Sequence, residues 1–418
     1  MSALDGLRGV AAFVVLLHHT LLIRPELAAG YVADPRPAGG WVDWLLTYTP
    51  LHLAWAGAEA VVLFFVLSGY VLALPAARGR PTRWRRYYPR RLLRLYPPVW
   101  GAVLLALVWA LLVPRGDRPG ASWWLNLHAP MSDTGRVLHD LVLLRRPGFT
   151  NTALWSLKWE VLFSLLLPAY LVVGRWLRRW PLAVGATGLA ALVFLGASFG
   201  GFAGRYLPIF VCGVFLAFNE DRLRRLFDGL DAVRRPVLCW WTVVAGCVVA
   251  LTAHWLLLAV LPAPGTALVL AAWTVQVAGA TLAVLLVIRW PAAGAALDRP
   301  VPRWLGSRSF SLYLVHEPIV VSTALVLGGT PPVPVALAVA VPVSLVVAEV
   351  FHRAVERPSL RLSHAVGGRA AAPSGGEALS PSPGGRAASP SSGGAASPSP
   401  DGRAALPAPG GGPIDDQS

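Results

Sequence analysis

The sequence predicts an all-α polytopic membrane protein. It should be a bundle of about ten transmembrane helices, with both termini cytoplasmic and a disordered C-terminal tail. Three observations carry this. Apolar residues make up 55% of the 418-residue chain and charged residues only 14%, against about 25% charged in soluble domains. Ten apolar runs approach the roughly 20 residues that a helix needs to cross a bilayer. The basic residues gather in alternate loops.

The runs cover 7–23, 55–74, 95–113, 152–174, 181–199, 205–219, 237–260, 266–288, 305–328 and 334–352, the sixth being short. Backbone in lipid must satisfy its own hydrogen bonds, and runs this long read as helices rather than barrel strands. Arginine sets the orientation, since Lys158 is the sole lysine. With the N-terminus inside, loop 75–94 is cytoplasmic and holds eight arginines; 175–180 holds three, 220–236 five, 289–304 three and 353–369 four. The two longest outer segments, 24–54 and 114–151, hold seven between them. The positive-inside rule therefore puts both termini in the cytoplasm.

The first run is expected to stay in the chain rather than be cleaved as a signal peptide. His18 and His19 interrupt it, and no convincing A-x-A site follows. After about residue 367 the composition turns to Pro, Ser, Gly and Ala, which cannot bury a core. The expected organisation is a transmembrane domain over 1–366 and a disordered tail over 367–418. The formal charge of +15 forms no solvated basic face, so nucleic acid is not an expected partner. Cys212, Cys239 and Cys247 lie in apolar segments with no CxxC, so neither a disulfide framework nor a metal site is expected.

Ionisable groups inside spans are costly and mark functional sites. Arg8 and His19 lie eleven residues apart on one helical face, His19 about 16 Å further along the axis. His19 either takes a proton from a hydroxyl or is a structural hydrogen-bonding group; His18 points away and reads as structural. Glu160 and Lys158 open the fourth span near the outer interface. Glu160 either orients an imidazole or binds a sugar hydroxyl, and Lys158 snorkels. Ser68-Gly69 in the second span favours close helix packing. Arg91 and Arg94, spaced i, i+3 at the start of the third span, suit phosphate recognition; the rest of loop 75–94 reads as a topology anchor that touches anionic lipid headgroups. The ninth span carries Ser311, Tyr313, His316 and Glu317, with Tyr313 and His316 on one face and a kink expected at Pro318. A polar cavity between the first, fourth and ninth spans would accommodate these groups.

Together these segments resemble the acyltransferase-3 family of membrane acyltransferases. Arg8 and His19 meet its first-helix pattern within LDGLRGVAAFVVLLHH, and Phe64 to Tyr70 meet its FFxLSGY pattern. Arg91, Arg94, Tyr96 and Pro97 meet the Arg-x-x-Arg-Leu-Tyr-Pro pattern. Trp155 to Glu160, then Ser311, Tyr313 and His316, then Glu356 to Pro358 follow in the family's order. Ser164 departs from it, standing where an aromatic is common. No esterase-like domain of the kind fused to some members is expected here.

The resemblance implies an O-acyltransferase that takes an acyl group, expected to be acetyl, from cytoplasmic acyl-CoA, with no permanently bound cofactor. The acceptor would be a hydroxyl-bearing glycan, glycolipid or macrolide-like molecule, and the location the bacterial plasma membrane. His19, Arg8 and Glu160 would be the catalytic group, with His19 either removing the hydroxyl proton or carrying the acyl group. Arg91 and Arg94 would hold CoA phosphates. Tyr313, His316, Ser68 and Trp155 would bind substrate. Two rivals stand beside this reading: a carrier or flippase for a glycolipid or small metabolite, since intramembrane Arg, His and Glu suit a transport path, and a purely structural or sensory membrane protein.

Overall fold

Nine helices long and apolar enough to cross a membrane occur among the described residues, and one helix pair, bent by 66°, passes the same test only when taken together. A computed structural model describes residues 2–32, 39–128, 134–143 and 147–368, and no strand occurs among them. The expected tail lies outside the described residues from 369 onward.

The first four spans are Ser2–Leu21, Gly57–Ala77, Trp84–Leu112 and Leu154–Leu177. Leu182–Phe199 and Gly201–Phe218 follow, then the bent pair Pro236–Leu251 and Ala253–Val260. Thr266–Arg289, Pro300–Val326 and Val333–Phe351 complete the set. The tenth span continues through a π-helical turn, His352–Glu356, into Arg357–Gly368.

Two boundaries correct the sequence reading. The third helix starts at Trp84 rather than near 95, so much of the basic stretch is helical and continuous with the span. The seventh span, expected as one helix over 237–260, breaks at Thr252 and turns by 66°. The turned half packs Trp255 and Leu258 against Tyr48 of the helix Trp41–Tyr48. Gln276 of the eighth span donates to the Leu251 carbonyl at the break, 3.2 Å away.

Close approach of backbones organises the centre. A Cβ on Gly9 would fall 2.3 Å from the Gly306 nitrogen, and one on Gly306 would fall 2.2 Å from the Asp5 carbonyl oxygen. Only glycine lets the first and ninth spans touch this way. Gly69 and Gly213 do the same for the second and sixth spans, against the carbonyls of Phe210 and Val66. The short sixth span is thus a core helix, with Ile209 and Phe210 fully buried.

Proline inside a helix leaves the carbonyl four residues earlier without its donor. At three such sites a side chain from another element supplies one. Asn151 donates to Leu314 O, four residues before Pro318, at 2.7 Å. Tyr87 donates to Ser164 O, four before Pro168, at 3.2 Å. Ser359 donates to Leu93 O, four before Pro97. The ninth helix runs unbroken through Pro318. Glu356, in the π turn, accepts from Ser311 and lies 2.9 Å from His352 Nδ1, tying the tenth span to the ninth.

Candidate active site

His19 and His316 meet at the centre of the bundle, because Gly9 and Gly306 bring their helices together below them. Nδ1 of His19 lies 2.8 Å from Nε2 of His316, and Nδ1 of His316 lies 3.0 Å from the Leu312 carbonyl. A carbonyl only accepts, so His316 Nδ1 carries a hydrogen. With both rings neutral, His316 Nε2 is then the acceptor and His19 Nδ1 the donor. The Nε2 of His19 is left with its lone pair. His316 is sealed at 0% exposure, whereas His19 is partly exposed. Trp124 of the short helix Trp123–Asn126 stacks on the His19 ring, with centroids 5.3 Å apart.

Below this pair a narrow cleft of about 80 Å³ runs in from the arginine-rich end of the bundle. Arg8, Ser68, Arg91, Arg94, Glu160 and Tyr313 line it. It reaches Tyr313, one helical turn short of His316, and the two rings lie 5.8 Å apart. The Tyr313 hydroxyl bonds the Ala153 carbonyl at 3.0 Å and pairs with Ser156 Oγ at 2.6 Å. Toward the surface a recess of about 590 Å³ shares Arg8 and Arg94 with the cleft and adds Arg303 and Arg308.

The arginines are not equivalent. Arg91 pairs with Glu160 and donates through Nε to Ser164 Oγ at 2.9 Å. Ser68 Oγ donates to the same Glu160 oxygen at 2.9 Å. Arg8 faces Asp5 only at 3.9 Å, and Arg94 makes no ion pair among the described residues. Three sequence expectations change here. Glu160 sits among the cleft arginines rather than at the outer interface, and it bonds Arg91 and Ser68 rather than an imidazole. Arg91 has its charge met inside the protein, which separates it from Arg94. Trp155 lies outside the cleft lining and packs on Tyr206, with centroids 4.9 Å apart. Gly69 serves packing, as read from sequence, but Ser68 beside it serves the cleft. Lys158 lies over the Trp159 ring at 5.0 Å. His18 is buried and bonds the Trp55 carbonyl at 3.0 Å.

Sequence reasoning missed the cluster that holds the other side of the pair. Glu317, at 0% exposure, accepts from the backbone N–H groups of Thr152 and Ala153 at 2.8 and 2.6 Å. It also meets His128 Nε2 at 2.7 Å, and His128 Nδ1 lies 3.0 Å from the Trp124 carbonyl. Glu317 thus anchors the start of the fourth span and, through His128, the helix that bears Trp124. The signal was a carboxylate wedged between His316 and Pro318 in an apolar run. Its partner His128 lies in a loop, where no periodicity points to it.

The fold and the site define a multi-pass helical membrane protein with a histidine pair above an arginine-lined cleft. The chain belongs to the acyltransferase-3 family: its sequence model, described as an acyltransferase domain, matches residues 1–352. It is 26% identical to the putative peptidoglycan O-acetyltransferase YrhL of Bacillus subtilis (strain 168), over 75% of this chain and 52% of that one. It is 22% identical to the peptidoglycan O-acetyltransferase OatA of Listeria monocytogenes serovar 1/2a, over 86% and 55%. To the acyltransferase MdmB of Streptomyces mycarofaciens it is 34% identical, over 34% and 36%. The chain spans about half the length, or less, of these curated relatives. No solved structure matches it.

Proposed function

We propose that this chain is a plasma-membrane O-acyltransferase that moves an acyl group, acetyl in the simplest case, from cytoplasmic acyl-CoA to a hydroxyl of a glycan. The observation that carries the reading is the bonding order from His19 to His316 to the Leu312 carbonyl, which leaves the Nε2 lone pair on the partly exposed His19 ring. CoA phosphates bind in the arginine-lined recess, on Arg94 and Arg8, the two cleft arginines without a close carboxylate partner. The acyl thioester extends up the cleft toward Tyr313.

As the acceptor oxygen bonds to the thioester carbonyl carbon, its proton passes to Nε2 of His19. The carbon–sulfur bond then breaks, and the proton leaves with the CoA thiol. His316 holds the His19 ring in the tautomer this needs. The ion pair of Arg91 and Glu160 shapes the cleft wall. The arginine distribution supports a cytoplasmic donor side. The printed names of the Bacillus and Listeria relatives support a glycan acceptor.

The test uses purified full-length protein with labelled acetyl-CoA and glycan fragments. Acylated fragment and free CoA should form with wild type and not with His19→Ala, while both variants elute as folded protein. Label retained on the protein without acceptor would make His19 a nucleophile rather than a base. Acceptor movement across vesicles without CoA consumption would replace the enzyme with a carrier.

A further inference from the structure

A second cavity, of about 430 Å³, opens at the other end of the bundle from the arginines. The broken seventh span creates it: the turned half carries His254 and Trp255 over the start of the eighth span. Glu59, Arg205, Trp273 and Gln276 complete its polar lining, and Tyr31 borders it. Glu59 is buried at 5% exposure, and its Oε1 accepts from Trp255 Nε1 at 3.0 Å and Gln276 Nε2 at 2.8 Å.

Three buried atoms of the lining make no hydrogen bond among the described residues: Glu59 Oε2, Trp273 Nε1 and Arg205 Nε. The nearest basic nitrogen to Glu59 Oε2 is His52 Nε2, at 3.9 Å. Buried polar groups ordinarily find partners, and this set asks for a ligand of a particular kind. A carboxylate oxygen can only accept here, and the two N–H groups can only donate. A hydroxyl satisfies both at once. Several hydroxyls on one ring, between aromatic walls, satisfy all three.

The position suits the reaction. The Tyr31 hydroxyl lies 3.4 Å from His18 Nδ1, and His18 precedes His19. Tyr206 separates this cavity from the inner cleft. Its ring lies 6.1 Å from Trp273, which lines the cavity, and 6.1 Å from Phe65, which lines the cleft. The two cavities therefore lie on either side of Tyr206.

We infer that the cavity bounded by Glu59, Arg205, Trp273 and Gln276 is a saccharide subsite that holds a non-reacting sugar ring of the acceptor. This rests on the acyl-transfer reading for its role, but binding there needs no chemistry. The test measures binding of chitotetraose, a neutral oligosaccharide, to detergent-solubilised full-length protein by saturation-transfer NMR and calorimetry without CoA. Wild type and His19→Ala should bind it equally. Trp273→Phe, which deletes one N–H and leaves a smaller aromatic ring, and Arg205→Gln should each weaken it about three- to tenfold. Size exclusion and an unchanged acyl-CoA affinity show that the variants are folded. No binding by wild type, or equal binding by wild type and both variants, overturns the subsite. Binding that depends on Trp273 and Arg205 in a protein that transfers no acyl group would uphold the subsite and remove the proposed reaction.

Discussion

Arg91 is paired with Glu160 inside the cleft, whereas Arg94, one helical turn further on, has no acidic partner among the described residues. The two arginines look alike in sequence and should behave differently. Arg94→Gln should raise the KM for acyl-CoA about tenfold with kcat little changed, since it removes ground-state phosphate binding. Arg91→Gln should instead lower stability by about 3 kcal/mol, because it leaves the Glu160 carboxylate unpaired in a mostly buried setting. Adding Glu160→Gln should recover part of that loss in a double-mutant cycle read by denaturant unfolding. Equal KM effects from both arginine variants would refute this division of labour.

Replacing His19 with alanine should reduce kcat by about 10²- to 10⁴-fold, the range of a lost general base. His316→Phe keeps a ring in the sealed site but removes the acceptor for His19 Nδ1. Its expected loss is smaller, about 10- to 100-fold, as for other groups that orient an imidazole. Steady-state kinetics at saturating acyl-CoA decides the order. If His316→Phe is the more damaging, His316 is the base.

Asn151→Leu should destabilise the protein by about 1–3 kcal/mol, because the Leu314 carbonyl would lose its donor in a buried site. Pro318→Ala restores the helical N–H at that carbonyl. The double variant should therefore be more stable than Asn151→Leu alone. Unfolding midpoints of the four proteins test this, and additive losses would show that the Asn151 bond does not compensate for the proline.

His52 lies in the segment Pro50–Trp55 that precedes the second span, at 0% exposure. Burial, and after it the neighbouring His18, holds its pKa well below the ordinary imidazole value of 6.5. The unfolded chain therefore takes up a proton near pH 6.5 that the folded protein refuses. Stability from this group is complete above that pH and declines as pH falls below it. Thermal midpoints measured from pH 7.5 to 5 should drop for wild type, and His52→Asn should flatten the decline. An unchanged slope in the variant would assign the acid sensitivity to other groups.

The number of spans, their order and the arginine-rich end were legible because they rest on local properties. A bilayer-length apolar run and a cluster of guanidiniums declare themselves within about 20 residues. Arg8 and His19 were legible too, since one helix sets their spacing. The break at Thr252 was not, because the turned chain there packs Trp255 on Tyr48 and takes a hydrogen bond from Gln276 to the Leu251 carbonyl. Both partners are remote in sequence.

Sequence alone determined that this is a helical membrane protein with ionisable groups in particular spans. Only the packed bundle decided which of those groups meet. It joined His19 to His316 rather than to Glu160, gave Glu160 to Arg91, left Arg94 without an acidic partner, and brought His128 from a loop to Glu317. The reason is physical. Helix periodicity fixes which face a residue takes, but a buried polar group is satisfied by whatever neighbour the glycine contacts and proline-freed carbonyls bring within about 3 Å.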